Sequence, residues 1–211
     1  MAITAAVRSQ PLPAPFVTAA RRVDVLTEAV ITVETDEGIS GCCGAPDTAA
    51  VTGDTPGSAV YAAEHIFAPL LVGRELTADV SECCEKALYG NPGAKAALDV
   101  AVHRALAASR GVPLCALLGG RPHELTTDLT ISAGAPSDVA SRAADAYANG
   151  FPILKIKLGT DIEADLQTLR ELKAALPPDA CLRLDANQGW TSAQALRAAG
   201  LCVSLGLNID F

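Results

Sequence analysis

Two short segments, ILKIKL at residues 153–158 and CLRLDAN at residues 181–187, decide the fold class. Both are rich in aliphatic residues, and the apolar residues of 161–175 between them fall at helical spacing, as do those of 191–205 afterwards. A strand, a helix and a second strand at this spacing form a βαβ unit with parallel strands. We therefore expect a parallel sheet covered by helices.

The same alternation extends along the chain in both directions. On the N-terminal side, LTTDLTIS at 125–132 predicts a strand and residues 136–149 predict a helix that opens with Pro136. On the C-terminal side, LNIDF at 207–211 predicts the opening of another strand. The pattern thus comprises three βα units and the start of a fourth strand.

The preceding part of the chain has a different order of elements. Residues 23–40 alternate apolar and polar side chains and predict antiparallel strands, whereas the Gly-, Pro- and Thr-rich residues 41–58 predict a long loop. Helical spacing then recurs in three Ala-rich segments, residues 59–73, 78–88 and 94–110. Strands followed by helices are typical of an α+β domain, and the glycines and prolines of residues 111–122 suit a domain boundary.

Composition and charge narrow the classes of function. The 211 residues are 50% hydrophobic, 19% charged and 4% aromatic, which requires a buried core. With 16 Lys and Arg against 24 Asp and Glu, the net charge of −8 disfavours nucleic acid or an anionic membrane as a partner. It favours chemistry on a small-molecule substrate.

The cysteines and the N-terminus predict a cytoplasmic protein. The seven cysteines are odd in number and include two adjacent pairs but no C-x-x-C, so we expect them to be reduced and mostly buried. Residues 1–10 lack the apolar segment of a signal peptide, and no segment approaches the roughly 18 apolar residues of a membrane span.

Lys155 and Lys157 are the first candidates for chemistry. They lie two apart in a predicted strand, so their side chains share a face. Parallel strands are usually apolar on both faces, and two lysines therefore belong at an open end of the sheet. Because two close positive charges disfavour protonation of both, one lysine could accept a proton near neutral pH. The alternative is two solvated lysines near a strand end.

Asp185 is the second candidate, with Asn187 on the same side of the chain. A carboxylate at the carboxyl end of a parallel strand lies where α/β folds place ligands and metals, and its hard oxygens suit Mg²⁺. Alternatively, Asp185 satisfies the backbone of the turn before the helix near Thr191. Together the two motifs predict a cation pair and a carboxylate at one edge of the sheet. The phosphate-loop, dinucleotide and serine-hydrolase motifs do not occur.

At these residues the sequence resembles the enolase superfamily. LKIKLG followed by LRLDANQGW is similar to the muconate-lactonising branch, and within it to dipeptide epimerases of the L-Ala-D/L-Glu type. The resemblance runs through the whole chain. The further segments that carry it are PFVTAARRVDVL, VETDEGISG, APDTAAVTGDT, GNPGAKAALDVAVHRALA, GVPLCALLGG and TDLTIS.

The resemblance implies a fold, a cofactor and a substrate class. The expected fold is an α+β capping domain over residues 1–122, followed by an incomplete (β/α) TIM-type barrel over residues 123–211. Mg²⁺ would stabilise an enolate formed from a dipeptide or a related carboxylate, and family members are expected to be homo-oligomeric.

The resemblance also implies roles for particular residues. Lys157 matches the lysine that removes or returns the α-proton on one face of the substrate. Lys155 matches its neighbour, which contacts substrate and eases deprotonation of Lys157. Asp185 matches the first of three metal-binding carboxylates. Arg21 resembles the basic residue that meets a substrate carboxylate, and Thr130 resembles a substrate-contacting residue at the end of the first barrel strand.

The sequence departs from the family in two places. Where the family usually has a large residue and an acidic residue before Ala-Pro, this chain has Cys42, Cys43 and Gly44. In addition, the family continues beyond residue 211 into a glutamate that is the second metal ligand, a third ligand and a lysine on the opposite face. We therefore expect the N-terminal part of a Mg²⁺-dependent dipeptide epimerase, truncated within the barrel.

Two alternatives stay open at this point. A cycloisomerase or lyase of the same branch shares the lysine pair and the aspartate. A non-catalytic fragment, or a subunit that needs a second chain, is also consistent with the sequence. One carboxylate does not hold Mg²⁺ tightly, and a base on one face alone does not epimerise by a two-base mechanism.

Overall fold

The computed structural model describes residues 1–210, Ser81 through its backbone alone, in two compact units. The first unit comprises Met1–Pro11 and Val25–Glu124, and the second comprises Leu12–Asp24 and the chain from Leu125 onward. The predicted domain division after residue 122 stays a prediction.

A three-stranded sheet lies largely in the first unit. Its strands are β1 (Ala2–Val17), β2 (Arg22–Glu34) and β3 (Ser40–Pro46), in that order across the sheet. Strands β2 and β3 are antiparallel, as predicted. The sequence pattern did not identify β1, which contains prolines at positions 11, 13 and 15. A proline has no N–H to donate, but β1 lies at an edge of this sheet, where such residues are tolerated.

Helices follow the sheet at nearly the predicted positions. They are α1 (Pro56–Tyr61), a π-helical turn (Ala62–Phe67), α2 (Ala68–Leu71), α3 (Val80–Ala87), α4 (Pro92–Ser109) and the short α5 (Leu114–Leu117). Helix α1 begins at a capping box in which Thr55 and Ser58 satisfy each other's backbone N–H groups. Buried side chains of the sheet and helices, including Ile31, Phe67 and Leu98, form one core cluster.

The predicted long loop over residues 41–58 is wrong at both ends. Strand β3 occupies its first part and α1 begins at Pro56. Gly41 explains why the composition is misleading, because a Cβ there would lie 2.2 Å from the Ala101 carbonyl oxygen and 2.5 Å from the Ala105 nitrogen. The glycine therefore permits close approach of α4 to the strand and does not mark a loop.

The second unit contains the predicted parallel sheet. Its strands are β4 (Leu129–Ile131), β5 (Ile153–Lys157) and β6 (Cys181–Asp185), hydrogen-bonded in that order. The helices that alternate with them are α6 (Pro136–Ala148), α7 (Ile162–Ala175) and α8 (Ser192–Leu205). After α8, Ile209 forms a single parallel bridge with Leu182. The α+β arrangement followed by parallel β/α units confirms the predicted fold class.

Apolar packing and helix caps hold this unit together. The side chains of Leu154, Ile156 and Leu182 are almost completely buried in its core cluster. Helix α7 begins at Asp161, whose side chain accepts a hydrogen bond from the Ala164 N–H. The same strands that supply this core therefore present Lys155, Lys157 and Asp185 at their carboxyl ends.

The cysteines are free, but the prediction that most are buried is wrong. Cys84 and Cys202 are buried, whereas Cys42 and Cys115 are exposed and the other three are half-buried. Burial, together with the neighbouring Cys83, raises the pKa of the Cys84 thiol to about 11, so that this thiol stays protonated at neutral pH. Among the described helices, none is long and apolar enough to cross a membrane.

We predict that Gly41→Ala destabilises the protein, because the new methyl group would collide with the α4 backbone. Overpacking of this kind costs about 1–3 kcal/mol in the free energy of unfolding, which urea denaturation followed by circular dichroism would measure. Gly57→Ala is the control, since the nearest atom to its Cβ would be 3.8 Å away. Equal stability of Gly41→Ala and the parent would contradict the packing argument.

Candidate active site

The carboxylate of Asp185 lies between the ammonium groups of both lysines. Lys157 Nζ is 2.7 Å and Lys155 Nζ is 3.1 Å from the same oxygen, Asp185 Oδ2. Lys157 and Asp185 are direct partners across the parallel strands β5 and β6, so the register of the sheet creates this contact. Lys157 is only 7% exposed, which argues against two solvated lysines.

Phe16 covers the buried lysine. Lys157 Nζ lies 5.9 Å from the centroid of the Phe16 ring, a cation–π distance. The neighbouring Val17 carbonyl accepts a hydrogen bond from the Ala133 N–H, just after β4. Sequence reasoning missed Phe16, although it lies in one of the segments that resemble the family. Only the fold brings it to a lysine about 140 residues away.

The lysines and the adjacent turn keep Asp185 ionised. Burial acts to raise the pKa of Asp185, but hydrogen bonds from Lys157, the Asn187 backbone and Lys155 outweigh burial and lower the pKa to about 2. The Asn187 N–H donates to Asp185 Oδ1 at 2.9 Å. Asp185 therefore accepts a hydrogen bond from its turn with one oxygen and pairs with the lysines through the other, and its role as a metal ligand stays a prediction.

The loop after β6 has an unusual backbone. Asn187 and Gln188 adopt left-handed conformations with φ of 47° and 65°. The Asn187 Oδ1 atom is buried and accepts no hydrogen bond from the described residues. Non-glycine residues with positive φ and unsatisfied buried oxygens are concentrated at functional sites.

Thr130 and Arg21 occupy different positions relative to this cluster. Thr130 in β4 is the direct strand partner of Lys155. Arg21 belongs to a turn in which its N–H donates to Thr18 Oγ1 at 3.2 Å. Ala19 of this turn lies against the loop after β6, because a Cβ on Gly189 would come within 2.9 Å of the Ala19 Cβ. The substrate-binding roles of Thr130 and Arg21 stay predictions, as do the roles of the lysines and Asp185.

Arg183 is a charged residue of this sheet that sequence reasoning did not select. It is the strand partner of Lys155 and forms ion pairs with Asp128 at 3.0 Å and Asp210 at 2.8 Å. Local spacing could not reveal this bridge, because its partners lie 55 and 27 residues away. These residues, with Asp185, line an open cavity of about 690 Å³. That volume is in the range of small-molecule sites.

The donor chemistry of the cluster fits part of a magnesium site. Asp185 offers a hard carboxylate oxygen at a strand end, the kind of ligand that Mg²⁺ prefers. Within residues 1–210, however, no group of three or more His, Cys, Asp or Glu side chains is placed to hold a metal. Asp185 therefore fits as one ligand, and a complete site needs oxygen donors in addition to these residues.

An α+β unit followed by parallel β/α units, with paired lysines and an aspartate at the strand ends, defines an enolase-type protein. Comparison with known families supports this classification. Residues 2–119 match the mandelate racemase / muconate lactonizing enzyme N-terminal domain, and residues 138–209 match an enolase C-terminal domain-like family. The chain belongs to the mandelate racemase / muconate lactonizing enzyme family, as the sequence resemblance indicated.

Its relatives include dipeptide epimerases. An L-Ala-D/L-Glu epimerase from Clostridium acetobutylicum is 35% identical over 204 residues, which are 96% of this chain and 57% of that protein. The substrate-liganded L-Ala-D/L-Glu epimerase structure from Bacillus subtilis superposes with a TM-score of 0.94 at 34% identity, covering 99% of this chain and 59% of that one.

A dipeptide epimerase from Enterococcus faecalis V583, complexed with Mg and the dipeptide L-Leu-L-Tyr, superposes with a TM-score of 0.89 at 31% identity. The match covers 98% of this chain and 60% of that one. The chain thus spans less than two thirds of the length of each of these relatives.

We predict that Asp185→Asn lowers stability in a pH-dependent way. A carboxyl with a pKa near 3.8 when unfolded and about 2 when folded stabilises the folded state above about pH 4 and loses this contribution as the pH falls toward about 2. The difference in unfolding free energy from the parent should be about 2 kcal/mol at pH 7 and shrink through this window. Urea denaturation at several pH values would measure it.

The control is Glu124→Gln, which removes an exposed carboxylate from a loop of the chain. Its unfolding free energy should differ little from that of the parent at every pH. A pH-independent effect of Asp185→Asn would show that the ion pairs with the lysines are not the source of the stability.

Proposed function

We propose that this chain carries one side of the active site of a dipeptide epimerase of the L-Ala-D/L-Glu type. The observation that supports it is the contact of two lysine ammonium groups with one carboxylate at the ends of adjacent parallel strands. The similarity to dipeptide epimerases over nearly the whole chain supports this choice of reaction. In this proposal the reaction is removal and return of the α-proton of one residue of a dipeptide.

Lys157 is the proposed base on one face of the substrate. Its burial keeps water from the amine, and its contacts with Asp185 and Phe16 fix the position of Nζ. Lys155, which is 35% exposed, contacts the same carboxylate oxygen of Asp185 at 3.1 Å. A positioned general base of this kind accelerates proton transfer by about 10²–10⁴-fold.

Substrate orientation is assigned to residues around the lysines. Arg21 would pair with a substrate carboxylate through its guanidinium group, and Thr130, beside Lys155, would contact the substrate with its hydroxyl. Fixing the dipeptide in this way would direct one α C–H bond toward Lys157, which is the geometric requirement for proton abstraction.

Magnesium is the proposed cofactor, with Asp185 as one of its ligands. When bound, it would supply positive charge that stabilises the enolate formed on loss of the α-proton. We further propose that the remaining metal ligands and the base on the opposite face come from polypeptide beyond the described residues. The greater length of the relatives supports this.

The test uses this chain together with the polypeptide that supplies the remaining metal ligands, and follows exchange of the substrate α-proton in D₂O with Mg²⁺ by NMR, on L-Ala-D-Glu and L-Ala-L-Glu separately. Exchange of each dipeptide reports proton abstraction on one face of the α-carbon. We expect Lys157→Gln to slow the exchange of one of the two dipeptides at least about 100-fold. Removal of Mg²⁺ with EDTA should abolish the exchange.

The matched control is Lys86→Gln, which removes an exposed lysine from the first unit and should leave the rate unchanged. Cis,cis-muconate is assayed in parallel, since the family includes muconate lactonizing enzymes. Turnover of muconate without dipeptide exchange would favour the cycloisomerase. Absence of exchange with both dipeptides and of muconate turnover would contradict the proposal for this chain and favour a non-catalytic subunit.

A further inference from the structure

Asp165 is a buried carboxylate that the proposed chemistry does not use. It lies in the first turn of α7, is 4% exposed, and forms no ion pair with any cation that the structure describes. Its Oδ2 accepts two hydrogen bonds, one from the Gly159 N–H at 2.8 Å and one from Trp190 Nε1 at 2.7 Å. Burying an unpaired carboxylate costs free energy, which these two charge-assisted hydrogen bonds and the helix N-terminus offset.

Capping of α7 does not explain Asp165. The helix already has an N-cap in Asp161, whose side chain accepts from the Ala164 N–H at 2.9 Å. Both donors to Asp165 lie outside the helix, in two different loops. Gly159 follows β5, and Trp190 ends the loop that follows β6.

These two loops touch through their backbones. Gly159 has a φ of 93°, and a Cβ there would lie 2.2 Å from the Ala186 carbonyl oxygen. A Cβ on Gly189 would lie 2.2 Å from the Gly159 carbonyl oxygen. The Leu158 N–H also donates to the Asp185 carbonyl at 3.0 Å. Gly159 and Gly189 thus allow the two loops to touch where any side chain would collide with the backbone. Asp165, which belongs to α7, accepts a hydrogen bond from each loop.

We propose that Asp165 is a positioning residue that locks the loop after β5 to the loop after β6 and thereby fixes the Lys157–Asp185 contact. Lys157 lies two residues before Gly159, and Asp185 directly precedes Ala186, so any sliding between the loops changes the distance between ammonium and carboxylate. The locking role depends only on the fold, whereas its consequence for catalysis rests on the proposed function.

The test begins with Asp165→Asn, which keeps the shape of the side chain but removes its charge. Trp190 is the single tryptophan of the chain, so its indole N–H gives one assignable NMR signal. We expect this signal to move upfield. Amide hydrogen exchange at Leu158 and Gly159 should accelerate about tenfold or more relative to core amides such as that of Leu169.

Comparing amide exchange in the loops with amide exchange in the core distinguishes a positioning role of Asp165 from a general effect on stability. A purely structural role would accelerate the exchange of core and loop amides together and leave their ratio unchanged, which would overturn the proposal. Trp190→Phe, which removes one of the two donors, should give a smaller change of the same kind. The control Asp138→Asn removes an exposed carboxylate from the first turn of α6 and should leave the loop amides unchanged.

A kinetic measurement tests whether the hydrogen bonds of Asp165 affect catalysis. In the deuterium-exchange assay, Asp165→Asn should lower kcat at least about tenfold with little change in KM, because binding groups stay in place while the base and the aspartate lose their alignment. If the parent shows no exchange with either dipeptide, the proposed function fails, and the NMR measurements still decide the lock. Unchanged protection of Leu158 and Gly159 in Asp165→Asn would refute the lock whatever the kinetics.

Discussion

The contact of two lysine ammonium groups with one carboxylate is the interaction on which this site depends. Lys157 is buried beneath Phe16, where a lone ammonium group would be costly, and Asp185 offsets that cost at 2.7 Å. The same oxygen also contacts Lys155. The three charges are stable together only because parallel strands β5 and β6 bring Lys157 and Asp185 into register.

Glycines permit close backbone packing in both units. In the first unit, Gly41 lets α4 approach β3, and in the second unit Gly159 and Gly189 bring two loops into contact. A side chain at any of these positions would push the neighbouring backbones apart, which would lengthen their hydrogen bonds or open the packed core. Glycine here specifies proximity, whereas the same residue in a sequence is more often interpreted as a turn.

Much of the fold and part of the site could be predicted from local sequence. The alternation of apolar strands and amphipathic helices after residue 125 identified the parallel sheet, since periodicity reflects which faces are buried. Strand β1 was missed because prolines at alternate positions argue against a strand, although they are tolerated in a strand that lies at a sheet edge. The loop predicted after residue 40 was wrong because Gly41 serves packing against a helix 60 residues away.

The sequence by itself determined the family, the order of the strands and helices after residue 125, and the lysine and aspartate pair, because these are encoded in local spacing and short motifs. The tertiary structure alone decided the partners that lie far apart along the chain: Phe16 over Lys157, Arg183 between Asp128 and Asp210, and Asp165 between two loops. Such contacts follow from strand register and helix packing, which bring together residues that no local pattern connects.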